Sequence, residues 1–486
     1  MGRLLPVLAL FSLVFFVFAY NSGYGYDATE YLFVARSLSH DGALYDFIPS
    51  KSYLIYSSTH ALLTLLGGYN HVSISGLITL LAMSVIAAGY WAARPFGQRA
   101  AMIGAALTAL TCFFTEMNYL EPESWIALTG LLAFGLLIRN GGRDNWRWLG
   151  AGVLLGIGMC FKSVAAFYMV GVAGYLGLLW LTGHQSFGRM VGRGLLTLLG
   201  FLLPLGLSAI YFYATGRLNP HVEWTYIYPF GGYPSHTLFL AKFLVKLSWL
   251  LALLAVSLVL VWLPPYRRQY AQTPALWLAL LLAVFACVSL LKTQASHYFF
   301  PAAVFVNLHL GFLADRLLTS QSWSVSRLPR TAVFGAVGLL IGAVVVLWLY
   351  RPDAVRRFTR LANYGGEVYQ ANFIRQQVGP TGKALIFDNA MMLYFLSDVA
   401  PNVPFINTEM QTTHYISQHP DAYGRALADT NLKMIVIDNR PYVIDDSVAT
   451  NKPTNAYALR QLRASLDRYF QPGTDSTFGM RYWVRK

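Results

Sequence analysis

The stretch LLPVLALFSLVFFVFAYNSGYGYDATEYLFVARSL, residues 4–38, decides the fold. Up to Tyr20 it is apolar throughout and near the ~20 residues that cross a bilayer. Arg3 precedes it as a cytoplasmic anchor and no small-residue cleavage site follows. The run therefore reads as a retained first span rather than a signal peptide. Beyond it the pattern changes. Tyr31, Leu32, Ala35 and Leu38 recur at helical spacing behind two acids, Asp27 and Glu30, as in a helix lying along a membrane interface.

The same alternation of apolar runs and polar breaks continues outward. Of the 486 residues, 56% are hydrophobic and 12% charged, with a mean hydropathy of +0.47. A soluble domain carries about 25% charged residues. Runs of membrane-crossing length fall near 4–20, 72–93, 100–115, 124–138, 148–161, 164–181, 194–214, 237–263, 274–291, 298–315 and 331–350. About eleven transmembrane helices are thus predicted, making an all-α polytopic membrane domain over residues 1–350, with a long first outer loop at 21–70. From Arg351 the charge density becomes that of a soluble protein. Strand signatures at KALIFD (383–388), LKMIVID (432–438) and MRYWV (480–484) alternate with helical stretches near 368–378, 390–396, 421–429 and 454–469. Residues 351–486 therefore read as a small α/β domain. The aromatic, Gly- and Pro-rich segment 215–236 reads as a mobile loop at membrane level.

Charge fixes the orientation. Arg94, Arg99, Arg139, Arg143, Arg147, Arg189, Arg193, Arg267, Arg268, Arg316, Arg327 and Arg330 fall in one set of loops, which the positive-inside rule makes cytoplasmic. Eleven crossings then put residues 351–486 on the extracytoplasmic side, in a bacterial inner membrane. The net charge of +14 is accounted for by these loops and needs no nucleic acid. Cys112, Cys160 and Cys287 lie in or beside apolar runs and form neither a disulfide framework nor a metal motif.

Nearly all acids before Arg351 gather on the opposite, outer face: Asp27, Glu30, Asp41, Asp46, Glu116, Glu121, Glu123 and Glu223. Acids barely influence orientation, so their gathering points to a polar site. Asp27 and Glu30 could take a proton or ligate a cation, or form a capping box at a helix start. Glu121 and Glu123 flank Pro122 at the mouth of a span, where the helix dipole also favours them. Lys51 sits just before the second span and could hold a phosphate or snorkel to the headgroups. Lys162 interrupts an apolar run, which calls for a specific partner such as a phosphate. Lys292, His297, Arg217, His221 and Glu223 are further candidates.

In their order along the chain these elements resemble the GT-C superfamily of polyprenyl-phosphate-dependent glycosyltransferases, particularly the protein O-mannosyltransferases and the lipid A aminoarabinose transferases. Asp27, Tyr31, Ala35 and Arg36 resemble that family's D-E-x-x-Y-x-x-x-A-R element. Lys51, Tyr53, Leu54 and Tyr56 resemble K-P-P-L-Y. Glu121-Pro122, Gly156 to Lys162, and His297, Tyr298 and Pro301 resemble three later elements, and Phe373, Ile374 and Arg375 before residues 393–396 resemble the tail. The acid after Asp27 is displaced to Glu30, both prolines after Lys51 are absent, and Ser50 stands where an acid precedes that lysine.

The resemblance implies inverting transfer of a sugar from a polyprenyl-phosphate donor to a glycan, lipid or protein acceptor. Asp27 would be the base and Glu121 would orient the acceptor. Lys51, Lys162 and His297 would hold the donor phosphate. A divalent cation, Mg or Mn, would sit on Asp27 and Glu121. Membrane lipids would surround the site. A transporter or flippase of lipid-linked saccharides is the alternative, although no inverted repeat with paired broken helices is visible. A glycan-binding membrane scaffold would leave the outer-face acids unexplained.

Overall fold

The structure, a computed structural model, describes residues 4–40, 42–47, 52–139, 144–232, 273–288, 296–319, 365–386, 390–404, 415, 419, 421–437, 466, 468–475 and 480–486. Lys51, Lys292, the spans expected at 237–263 and 331–350, and most of the helix expected at 454–469 lie outside them. The chain divides into two compact units. One comprises residues 1–23, 70–215 and 235–361, the other 24–69, 216–234 and 362–486.

The first unit is helical. Among the described residues, five helical stretches are long and apolar enough to cross a membrane: Leu5–Ser22, His71–Phe96, Ser163–Leu181, Phe187–Ala214 and His297–Arg316. Gln98–Phe114, Pro122–Ile138 and Ala275–Ala286 are apolar but shorter, and Asn145–Phe161 adds a further helix. Asn70 caps the helix His71–Ala93 by accepting the Ser73 N–H at 2.9 Å.

Small residues set the closest helix contacts. A Cβ on Gly152 would lie 2.1 Å from the Thr197 carbonyl oxygen, and one on Gly156 2.3 Å from that of Phe201. Gly200 returns the contact toward Leu149. Helices 145–161 and 187–214 therefore touch backbone to backbone, as membrane helices do where glycine recurs every fourth residue. Gly156, the first residue of one resemblance element, serves this packing. Helices 98–114 and 300–319 meet similarly at Gly104 and Gly311, and Asn307 donates to Thr111 Oγ1 at 2.9 Å across that seam.

The second unit gathers three distant stretches around a five-stranded sheet. Its strands are β1 (Lys383–Ile386), β2 (Ala400–Pro401), β3 (Leu432–Ile437), β4 (Phe470–Asp475) and β5 (Met480–Arg485), in the order β2-β1-β3-β5-β4. β1 runs parallel to β2 and β3, whereas β5 is antiparallel to β3 and β4. Pro472 falls on β4, an edge strand, where a missing N–H is tolerated.

Residues 218–232 are not the mobile loop that their composition predicts. Leu218–Val222 is α-helical and Glu223–Gly232 a π-helix. Trp224 and Tyr228 are buried with Leu385, Leu432, Ile435 and Phe470 in the core of this unit. Their apolar area drives the ordering against the flexibility that glycine and proline suggest.

The helix after the first span does form, over Tyr26–Ser37. It starts two residues earlier than a capping box on Asp27 and Glu30 requires. Gly25 is the N-cap and no side chain caps it, so the capping-box reading of Asp27 and Glu30 fails. Its stripe residues Tyr31, Leu32 and Ala35 are fully buried, packed by the helices Tyr53–Leu65 and Ala390–Ser397 rather than laid on a bilayer. Two arginines close the end of helix 390–397. Arg36 donates to the Phe395 carbonyl at 2.9 Å, and Arg375 donates to those of Leu396 and Ser397 at 3.0 and 2.7 Å. They satisfy carbonyls that a helix end leaves without partners.

Candidate active site

Two sets of polar residues stand out, one in each unit. In the first, the extended backbone of Glu121 and the pre-set φ of Pro122 start helix 122–138. Neither acid of the E-P-E triplet is a solvated cap: Glu121 is 4% and Glu123 1% exposed. Burying a carboxylate is costly unless a cation answers it. Lys162 supplies that answer, with Nζ donating to Glu123 Oε1 at 2.5 Å.

Lys162 reaches this position because the chain breaks there. Helix 145–161 stops at Phe161, Lys162 adopts extended angles (φ −162°, ψ 133°), and a 3₁₀ turn, Ser163–Ala166, leads into Phe167–Leu181. The two helices nearly fused in the apolar pattern are thus separated at the one lysine between them. Its ammonium also sits 3.7 Å from the centroid of the Tyr298 ring, a cation–π contact. Glu123 and Tyr298 line a small cavity together with Ile126, Ala165, Tyr168 and Pro301. Lys162, 39 residues from its acid, does not lack a carboxylate partner, contrary to what its sequence neighbourhood implies.

His297, next to Tyr298, brings in the remaining acids. Its Nδ1 lies 3.6 Å from Glu116 Oε2, and it offers a ring nitrogen within 4.8 Å of a Glu121 carboxylate oxygen. Glu116 occupies the left-handed region (φ 60°), sparse for a residue with a Cβ and characteristic of functional loops. This unit therefore assembles Glu116, Glu121, Glu123, Lys162 and His297 from sites up to 181 positions apart in a setting largely shielded from water. Such a cluster can hold an anion on Lys162, a cation on Glu121 and His297, or orient hydroxyl groups.

In the second unit Asp27 lies half-buried in the first turn of helix 26–37. Glu30 is 1% exposed and accepts a hydrogen bond from the Tyr56 hydroxyl at 2.6 Å. Tyr56, which the sequence reading singles out only as part of a motif, is thus the partner of that acid. The further candidates Arg217 and His221 serve as ties. Arg217 pairs with Asp46 at 2.8 Å and donates to the Leu44 carbonyl. His221 Nδ1 meets the Tyr45 hydroxyl at 2.7 Å, and that hydroxyl also meets Thr225 Oγ1 at 2.8 Å. Burial lowers His221 to about 4, so this imidazole is neutral at pH 7. Glu223 opens the π-helix.

Residues 54–206 match the family model described as dolichyl-phosphate-mannose-protein mannosyltransferase. The fold is similar to that of ArnT from Cupriavidus metallidurans, solved bound to undecaprenyl phosphate. That likeness has a TM-score of 0.62 and 13% identity, covering 100% of this chain and 98% of the other. It is also similar to the oligosaccharyltransferase of Archaeoglobus fulgidus, solved in complex with Zn and sulfate. Here the TM-score is 0.51 and the identity 13%, covering 99% of this chain and 73% of the other. Comparison with curated proteins gives no match. The protein has a GT-C-type fold, in keeping with the resemblance that its sequence elements carry. The family match covers residues 54–206 only, and at 13% identity the structural likenesses are likenesses of fold.

Proposed function

We propose that this chain is an integral-membrane glycosyltransferase that moves a sugar from a polyprenyl-phosphate donor to an acceptor on the extracytoplasmic face, with inversion. The observation that carries this reading is the buried Glu123–Lys162 pair beneath Tyr298, set at a helix break in a GT-C-type fold. A lysine ammonium placed here would act on a phosphate as a compact point charge. Undecaprenyl phosphate is the ligand of the ArnT structure, which supports a donor of that kind.

In this reading the acceptor oxygen attacks the anomeric carbon as the bond from that carbon to the phosphate oxygen breaks. Asp27 takes the acceptor proton, and the polyprenyl phosphate leaves with the bonding electrons. Lys162, Lys51 and His297 stabilise the charge that develops on the phosphate. Glu121 orients the acceptor. A divalent cation fits the carboxylate and imidazole of Glu121 and His297 and would act as a Lewis acid toward phosphate. Residues 351–486 contribute to acceptor recognition.

Purified protein in lipid nanodiscs, given polyprenyl-phosphate sugars and no transmembrane gradient, should release free polyprenyl phosphate. Asp27→Asn should lose turnover while binding the donor as before. Near-parental turnover in that variant removes Asp27 from the mechanism. Saccharide movement across a vesicle membrane without cleavage of the donor replaces the whole reading with transport.

A further inference from the structure

Asn118 is a buried carboxamide that the proposed chemistry does not use. It is 0% exposed, and neither Nδ2 nor Oδ1 makes a hydrogen bond to any described residue. A carboxamide offers two donors and an acceptor, and leaving such a group buried and unmatched costs about 1–3 kcal/mol. Native proteins rarely carry that cost without a ligand or water to meet the group.

Its place in the chain indicates which ligand. Asn118 sits in the short connection between helices 98–114 and 122–138, two residues after Glu116 and three before Glu121. Both of those acids converge on His297. His297 Nε2 is also buried and without a hydrogen-bond partner among the described residues. Asn118 thus lies in sequence between the two acids that meet His297, and both it and His297 carry buried polar atoms with no hydrogen bond to a described residue. The connection itself is held firmly. Thr115 Oγ1 donates to the Thr111 carbonyl, the Tyr119 N–H donates to the Glu116 carbonyl, and Ser124 Oγ contacts Met117 Sδ. A fixed, dry amide with donor and acceptor side by side suits adjacent hydroxyl groups on a saccharide ring, which present the same pair. A phosphate, with acceptors alone, would leave Oδ1 unmatched.

We propose that Asn118 is a specificity-determining residue that hydrogen-bonds the sugar carried by the lipid-phosphate donor. The inference rests on the glycosyltransferase reading and adds the group that reads the sugar rather than the phosphate. A site built to pair a hydroxyl rejects a ligand lacking it, because the buried amide is then stranded.

The test uses the full chain in nanodiscs and thermal shifts with two kinds of probe. One is undecaprenyl phosphate alone. The other is the best bound of its mannose, glucose and aminoarabinose conjugates. Asn118→Leu should hold or raise the melting temperature of the free protein, since an unmatched amide is replaced by an apolar group of similar size. It should keep the shift given by undecaprenyl phosphate and weaken the sugar conjugate about tenfold. Asn118→Asp, which keeps the shape, should also lose affinity for the conjugate. A conjugate bound equally well by both variants overturns the inference and leaves the glycosyltransferase reading intact. So does a large loss of melting temperature in both variants with affinity unchanged, which would make the amide a structural tie. A defect confined to the KM of the acceptor overturns the assignment to the donor sugar. A parent protein that binds no conjugate refutes the glycosyltransferase reading and this inference with it.

Discussion

Lys162→Met removes the positive half of a buried pair and keeps most of its apolar stem. It leaves the Glu123 carboxylate, 1% exposed, without its 2.5 Å partner. Breaking a buried pair from one side costs about 3–5 kcal/mol. Coulomb attraction at ~4 Å and an effective dielectric of ~20 gives about 4 kcal/mol, the same size. Melting of the full-length protein, followed by tryptophan fluorescence, should drop by on the order of 5 °C. Glu123→Gln with Lys162→Met removes both charges and should regain most of that loss, because the remaining amide costs only about 1 kcal/mol. The double variant must therefore melt above the single one, although both lose donor turnover. A Lys162→Met protein that melts with its parent, or a double variant no more stable than the single, refutes the pair as the organiser of this site.

Two further outcomes follow from the geometry and one from the charge of the loops. The folded pKa of His221, about 4, lies below the ordinary value of about 6.5, so the unfolded chain takes up the proton first. Stability from this group is full above pH ~6.5 and is lost as pH falls toward 4. Melting temperatures should decline across that window, and His221→Asn should flatten the decline. Gly152→Ala should destabilise, because its Cβ meets a backbone oxygen at 2.1 Å, whereas Gly206→Ala meets nothing within 4 Å and should be neutral or gain up to about 1 kcal/mol of helix propensity. Equal melting shifts for the two would refute the helix contact. An alkaline phosphatase fusion after Lys486 should be active and one near Arg268 inactive, and the reverse pattern would overturn the orientation.

Apolar run length made the helices of the first unit legible, because the bilayer imposes one length on every span. The strands β1 and β3 were legible as short apolar runs, and β5 less sharply as the aromatic pair Tyr482-Trp483 and Val484. β4 was not, since its Pro472-Gly473 pair reads as a turn and only its edge position allows a strand. The aromatics of 223–232 misled because composition reports local flexibility and says nothing of a distant core waiting for Trp224 and Tyr228. At the site, charge on an apolar background singled out Glu121, Glu123, Lys162 and His297. The pairing of Lys162 with Glu123 was hidden because a helix break, not a spacing, brings them together. Asn118 escaped notice because a polar residue between helices ordinarily faces water.

The clamp on helix 390–397 has a consequence for how the chain is made. Arg36 and its carbonyl partner on Phe395 are 359 residues apart. The π-helix that carries Trp224 is synthesised long before the sheet that buries it, and helix 26–37 long before helix 390–397, which packs on it. Until that sheet arrives, Trp224 and Tyr228 have no core to enter, and contacts of such long sequence separation are slow to form. The second unit can therefore be completed only after residues 362–486 have been made, behind every segment of the first unit. Cutting the chain before residue 365 would not subtract a domain from a finished enzyme. It would leave two earlier segments permanently exposed, the state in which quality-control proteases find a membrane protein.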